Sequence, residues 1–332
     1  MDKITEQIQR RRMHGLYLSR QCGDIAQLSR ELLGLHCWFH RNVAFSALIR
    51  GASLTGWRTA LTKTWLYRGT LHGVAFDDLP SLLALHPDDK CSWILDEEQL
   101  SEVAERVVGL MEDGIYSRAE MRRIFAYDMD DEVLSRVFSS WGGIFVYLAR
   151  RGRVAFRDMT SRDFDLISAE PTSTPDAVLP ELLRRYFAAY GPATLADAAW
   201  FFGLWKERKN ALADLDLSEF SRLEVGKTVY YYVENEDDMG DIPGLTLLSG
   251  FDPLIVSYTE RGAVLDAEHK SRVVLKSGIC LPTIAVDGRV AGIWNIKKGE
   301  PFIEFFEPQS KQLQNAALDL VDGIRWRTVG ML

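Results

Sequence analysis

The chain has few cysteines and no pairing pattern among them. Cys22, Cys37, Cys91 and Cys280 are scattered through 332 residues without a C-x-x-C spacing, which argues against a disulfide framework or a zinc knuckle. Long apolar runs are missing too, since none reaches the roughly 18 residues that a membrane span needs. The opening MDKITEQIQRRRMHG is polar and basic with no apolar core, so no secretory leader is expected. A cytoplasmic address without membrane contact follows. Three enzyme signatures are also absent: G-x-S-x-G, G-x-x-x-x-G-K-[ST], and G-x-G-x-x-G after a strand. With them go the usual supports for hydrolase-elbow, P-loop and dinucleotide chemistry. No cofactor is expected.

Carboxylates are missing from one stretch in particular. The net charge is −8, yet residues 1–76 hold eleven Lys/Arg against four Asp/Glu. Between Leu32 and Phe76 there is no carboxylate, while Arg41, Arg50, Arg58, Lys63 and Arg68 are present. Phosphate binding depends on where positive charge sits rather than on its sum. The first quarter of the chain is therefore suited to an anion.

What is present reads as an ordinary globular protein, 47% hydrophobic and 26% charged, long enough for two or three compact units. Thr5 opens an amphipathic run to about Leu18, and Gly23-Asp24 precedes IAQLSRELLGL with an apolar stripe. Asn42 is placed to cap VAFSALIR. TKTWLYRGTLHGVAF, rich in Thr and aromatics and broken by Gly69 and Gly73, predicts a β-hairpin. Three helices followed by a hairpin is the layout of a winged helix-turn-helix unit.

That layout recurs. Ser101–Met111, Ser117–Phe125 and Asp131–Tyr147 predict helices, and ARRGRVAFRD a short hairpin turning at Gly152. A third pass runs through VLPELLRRYFAAY, ATLADAAWFFG and WKERKNALADL to the strand-like SRLEVGKTVYYYVE. From Leu245 the chain turns β-rich, with a tight-turn signal at Asp287-Gly288, and QSKQLQNAALDLVDGIRWRTV starts as an amphipathic helix. The expected fold is α+β: tandem winged helix-turn-helix units followed by a C-terminal β-barrel. The boundaries drawn are 1–90, 91–165 and 175–240 for three winged-helix units, 241–310 for the barrel and 311–332 for the tail.

The densest chemistry lies in GLHCWFHRN, Gly34–Asn42. His36 and His40 are four apart and would share a helical face, as zinc ligands do. Cys37 stands where a metalloprotease has its Glu, and no third ligand follows nearby, so no metal is expected. Elsewhere, Arg150-Arg151-Gly152-Arg153 would put basic side chains at a hairpin tip, where they can reach phosphates or simply be solvated. Arg68-Gly69-Thr70-Leu71-His72 groups Arg, Thr and His beside the acid-free segment.

Three stretches carry a family likeness: WLYRGTLHGV, RRYFAAYGPATLADAAWFFGL, and GFDPLIVSYTERGAVLD with PTIAVDGRVAGIW after it. From about Arg10 to Pro308 the chain resembles the bacterial winged-helix family that includes the AlkZ-like DNA glycosylases. The resemblance implies a positively charged concave surface for duplex DNA, alkylated or crosslinked, and a monomer associated with the nucleoid. It implies metal-independent excision of bulky alkylated bases, or unhooking of interstrand crosslinks. Arg41, Arg50, Arg58, Lys63, Arg68, Thr70, His72, Arg151 and Arg153 are the expected DNA contacts. Active members place their chemistry on Gln-x-Gln or Gln-x-Asp after Gly-Leu. Here Gly34-Leu35 is followed by His36-Cys37-Trp38, so His36 and Trp38 occupy the catalytic positions. A neutral His36 offers a lone pair to water, whereas Trp38 offers only an N–H donor and a ring face. The expectation divides between a diverged glycosylase and a catalytically silent DNA-binding relative, either a damage-sequestering factor or a transcriptional regulator.

Overall fold

The computed structural model describes residues 3–86, 91, 93–204, 212, 214–234 and 239–328. Along the chain, helices α1 (Lys3–Gly15), α2 (Ile25–Glu31) and α3 (His40–Ile49) flank the short strand β1 (Leu35–His36). Asp24 starts α2 by accepting the Gln27 amide at 2.8 Å, as an N-cap should. α3 begins three residues earlier than expected. Phe39 is its N-cap, and Asn42 lies buried inside the first turn rather than capping it.

The expected hairpin is present. β2 (Thr62–Trp65) pairs antiparallel with β3 (Leu71–Val74), in the register Thr62↔Val74 and Trp65↔Leu71. Helices α4 (Leu79–Ala84), α5 (Glu97–Glu112), α6 (Arg118–Phe125), α7 (Asp131–Val137) and α8 (Ile144–Arg150) follow. The single helix expected over Asp131–Tyr147 is two, because Gly142 (φ 124) and Gly143 (φ 53) turn the chain between them. A Cβ on Gly143 would fall 2.0 Å from the Val137 carbonyl oxygen, so no other residue fits that turn. The hairpin expected at Gly152 is displaced as well. Gly152 (φ 70) terminates α8, and strands β4 (Val154–Phe156) and β5 (Phe164–Leu166) pair beyond it.

α9 (Pro175–Tyr190) and α10 (Leu195–Phe202) match the third pass. Thr194 and Asp197 form a reciprocal capping box and Gly203 closes the helix in the left-handed conformation, the start and stop chemistry the sequence carries. Most of WKERKNALADL lies outside the described residues. Strands β6 (Ser221–Val225) and β7 (Thr228–Tyr232) form a hairpin. After them come β8 (Leu245–Leu248), a short helix α11 (Pro253–Val256), strands β9 (Thr283–Val286), β10 (Arg289–Lys297) and β11 (Glu300–Phe305), and helix α12 (Lys311–Thr328).

Two compact units result: Met1–Trp57 with Glu181–Leu332, and Arg58–Pro180. In the second, β3-β2-β4-β5 form one antiparallel sheet. The buried stripe Leu100, Val103, Ala104, Val107, Val108 and Met111 of α5 shares a core with Trp65, Phe125, Phe145 and Phe164. The strands assigned to the first expected unit thus share a sheet with those of the next.

In the first unit the C-terminal strands run β11-β10-β9-β8, all antiparallel. Among the described residues this sheet does not close into the expected barrel. α12 packs against β8, β10 and β11 instead, burying Ala317, Val321 and Ile324. Its amphipathic stripe covers apolar sheet surface that a barrel would enclose by curling. Trp294 of β10 is buried against Phe45 of α3, ring centroids 5.0 Å apart, and donates Nε1–H to the Leu248 carbonyl at 2.9 Å. α3 is therefore held within the core, with only its N-terminal end near the surface.

Candidate active site

The segment before α3 is placed by the end of α2. Leu33 (φ 54) and Gly34 (φ 107) adopt positive φ, and the Gly34 amide donates back to the Ser29 carbonyl at 2.8 Å. This left-handed helix stop reverses the chain into Leu35–His36. Tyr190 fixes the turn from outside, its buried hydroxyl donating to the Leu32 carbonyl at 2.7 Å.

His36 is half-buried, with its imidazole stacked on the Phe251 ring, centroids 4.0 Å apart and planes 8° from parallel. The Trp38 backbone N–H points at His36 Nδ1 across 3.5 Å, at the long limit of a hydrogen bond. Cys37 is buried, while Trp38 and Phe39 each stay 37% exposed. Trp38 is accordingly no core filler. His40 opens α3 with its ring 6.4 Å from that of Trp57. His36 in a strand and His40 at a helix start do not share a helical face, so the spacing that suggested paired ligands is not realised.

The loop that supplies Phe251 is rigidly anchored. Asp252 is fully buried and caps α11, accepting from the Leu254 amide at 3.1 Å. It also accepts from the Ser249 amide and hydroxyl, each at 3.1 Å. The Arg50 guanidinium reaches both of its carboxylate oxygens at 3.0 and 3.1 Å. Arg50 in turn donates to the Leu16 carbonyl at 2.7 Å and to Ser46 Oγ at 3.0 Å. A buried pair survives only when its remaining donors and acceptors are satisfied in this way.

This corrects one expected DNA contact, since Arg50 is wholly buried and engaged with Asp252. His72 needs the same correction. It is buried in β3 with Nδ1 3.1 Å from the Thr70 carbonyl. Burial first, then the nearby Arg68 charge, lowers its pKa to about 3 against the opposing pull of that carbonyl. A neutral imidazole inside a sheet gives phosphate no cation.

The other expected contacts vary in what they offer. Arg41 is exposed, with its guanidinium 6.0 Å from the Phe39 ring centroid. Arg58 is exposed and Arg68 half-buried in a tight turn. Lys63 is mostly buried, its Nζ donating to the Met159 and Ser161 carbonyls at 3.3 and 3.2 Å. Thr70 donates to the Tyr67 carbonyl at 3.0 Å. Arg151 pairs with Glu97 at 2.8 Å and covers the Tyr147 ring, while Arg153 pairs with Glu105. His36, Trp38 and Arg41 stand together in the first unit; the contacts from Arg58 to Arg153 belong to the other.

Phe251, Asp252 and Tyr190 all lie in stretches that carry the family likeness, yet the sequence alone marks no role for them. An Asp immediately before Pro253 is a helix-start signal, and it could have revealed α11. No local signal ties Phe251 to His36.

Against known families, the profile described as DNA glycosylase AlkZ-like matches residues 57–320. The chain belongs to the AlkZ-like DNA glycosylase family. A curated relative, the interstrand DNA cross-link repair glycosylase of Streptomyces sahachiroi, is 27% identical over 288 residues, spanning 78% of this chain and 76% of that protein. The solved structure of the Streptomyces sahachiroi DNA glycosylase AlkZ superposes with a TM-score of 0.78 at 24% identity, covering 98% of both chains. The AlkZ-like fold thus extends over nearly the whole molecule. The family profile itself begins after His36 and Trp38. Among the described residues no helix is long and apolar enough to cross a membrane, and no group of three or more His, Cys, Asp or Glu could hold a metal ion.

Proposed function

We propose that the chain is a monomeric DNA glycosylase of the nucleoid, acting on duplex DNA that carries bulky alkylated or crosslinked bases. Its helix-and-hairpin groups serve as winged-helix contacts to the phosphates. The observation that carries this reading is the half-buried His36 ring, stacked on Phe251 beside the exposed Trp38 indole. As the bond between C1′ and the alkylated purine breaks, the base leaves with the bonding electrons and positive charge grows on the sugar. Water, oriented by the lone pair of neutral His36, attacks C1′ and loses its proton to solvent as the bond forms, so the site needs an acceptor within hydrogen-bond reach that holds the water. Trp38 has no lone pair to offer, so it serves as a ring face against a base.

The test is a duplex with one bulky N7-alkylguanine, scored for base release separately from gel-shift binding. Release should occur, and should vanish in His36→Ala with binding kept. His36→Gln should retain release. Tight binding without release by the wild type would favour the catalytically silent relative, for which Trp38 in place of an acceptor is the supporting observation.

A further inference from the structure

Phe251 carries a positive φ of 55°, a conformation that favours glycine over any residue with a Cβ. The glycine of this loop stands one position earlier. There a Cβ would fall 2.8 Å from the Asn42 side-chain amide, so Gly250 answers a packing demand and leaves Phe251 with the unfavourable backbone. Strain kept at a residue whose ring lies against a candidate catalytic group is the pattern in which backbone cost serves a site.

Each flank of Phe251 is fixed. Its amide donates to the Cys280 carbonyl at 3.2 Å, and the next residue, Asp252, is held by Arg50, Ser249 and Leu254. On the other side of the stack, Tyr190 holds the turn before His36 through the Leu32 carbonyl. Tyr258, in the segment that follows α11, donates its hydroxyl to the Tyr190 carbonyl at 2.9 Å. One tyrosine therefore ties both partners of the stack. An imidazole packed face to face can slide little out of its plane, so its ring nitrogens stay aimed along one edge.

We propose that Phe251 is the positioning residue for His36, and that the buried Arg50–Asp252 pair keeps Phe251 in register; this rests on the glycosylase reading above. Phe251 touches no reacting atom. It holds the lone pair of His36 in the direction from which water must approach, and a small misplacement of such a group costs rate more than binding.

The experiment compares full-length wild type with Phe251→Leu, Phe251→Tyr, His36→Ala and the double variant Phe251→Leu/His36→Ala. It uses single-turnover base release from a duplex bearing one N7-alkylguanine adduct. Phe251→Leu should slow release on the order of 10²-fold with the half-saturating protein concentration unchanged. Phe251→Tyr, which keeps the ring, should retain the wild-type rate, and the double variant should be no slower than His36→Ala alone. In proton NMR the His36 ring signals should sit upfield from the ring current of Phe251, keep that position in Phe251→Tyr and lose it in Phe251→Leu. Release by Phe251→Leu at the wild-type rate, or a loss expressed only as weaker saturation, overturns the proposal and leaves the glycosylase reading standing. A wild type that releases no base overturns both.

Discussion

Arg50 and His72 share an acid-free segment with Arg41 and Arg58, and burial alone separates their roles. Composition reveals the charge of a side chain but not the partner that consumes it, and Asp252 lies 202 positions from Arg50. Replacing Arg50 with Leu strands a buried carboxylate, so urea unfolding should show a loss of about 3–5 kcal/mol, while the salt dependence of DNA binding stays as in wild type. A stability within experimental error of wild type would mean the pair is not buried as described. Trp38 is the opposite case, an aromatic at the position where the resemblance leads one to expect catalysis, and exposed in the structure. Trp38→Ala should weaken binding to a lesion duplex by about 1–3 kcal/mol, the usual worth of a base–aromatic contact, with the melting temperature kept. A lower melting temperature without selective loss of lesion binding would return Trp38 to a packing role.

Among the elements, those with strong end signals were readable. Asp24 before α2 and the Asp287-Gly288 turn between β9 and β10 stand where the sequence predicts them. Elements whose ends depend on distant packing were not. Gly142 and Gly143 split a continuous helical pattern, and α12 covers a sheet whose strands alone suggested a barrel. β3 carries a consequence for acid stability through His72. Its proton affinity is lower in the folded state, with a pKa of about 3 against about 6.5 for a free imidazole. The unfolded chain binds the extra proton, so the contribution of His72 is intact above about pH 6.5. It is lost toward pH 3, at up to about 1.4 kcal/mol per pH unit. His72→Gln should flatten that part of the stability curve; an unchanged slope would show that His72 titrates normally.

At the scale of the whole molecule, the uneven charge was readable, and so was the resemblance that the AlkZ-like match upholds over 57–320. The site was readable only by half. His36 and Trp38 belong to a local motif, whereas the ring under His36 comes from a loop more than two hundred residues later. Arg41, Arg58 and Arg68 are the cations we propose for phosphate. Duplex affinity should fall with salt at a log–log slope of roughly −0.9 per phosphate neutralised, and removing these three charges should make that slope shallower for every sequence alike. Binding that ignores ionic strength would contradict the role assigned to them.

The first unit is assembled from both ends of the chain, Met1–Trp57 and Glu181–Leu332, and the second unit occupies the uninterrupted stretch of sequence between them. During synthesis the ribosome delivers His36 early and its stacking partner late. Arg58–Pro180 is complete while α3 still lacks the sheet that will bury Phe45, so a nascent chain holds a finished insert long before it holds the stacked pair of His36 and Phe251. Domains tend to fold as units in order of emergence, which makes the His36–Phe251 stack a property of the full-length product and of no truncated intermediate. Pulsed hydrogen exchange during refolding should accordingly protect amides of α5 before those of α3, and simultaneous protection would count against this order.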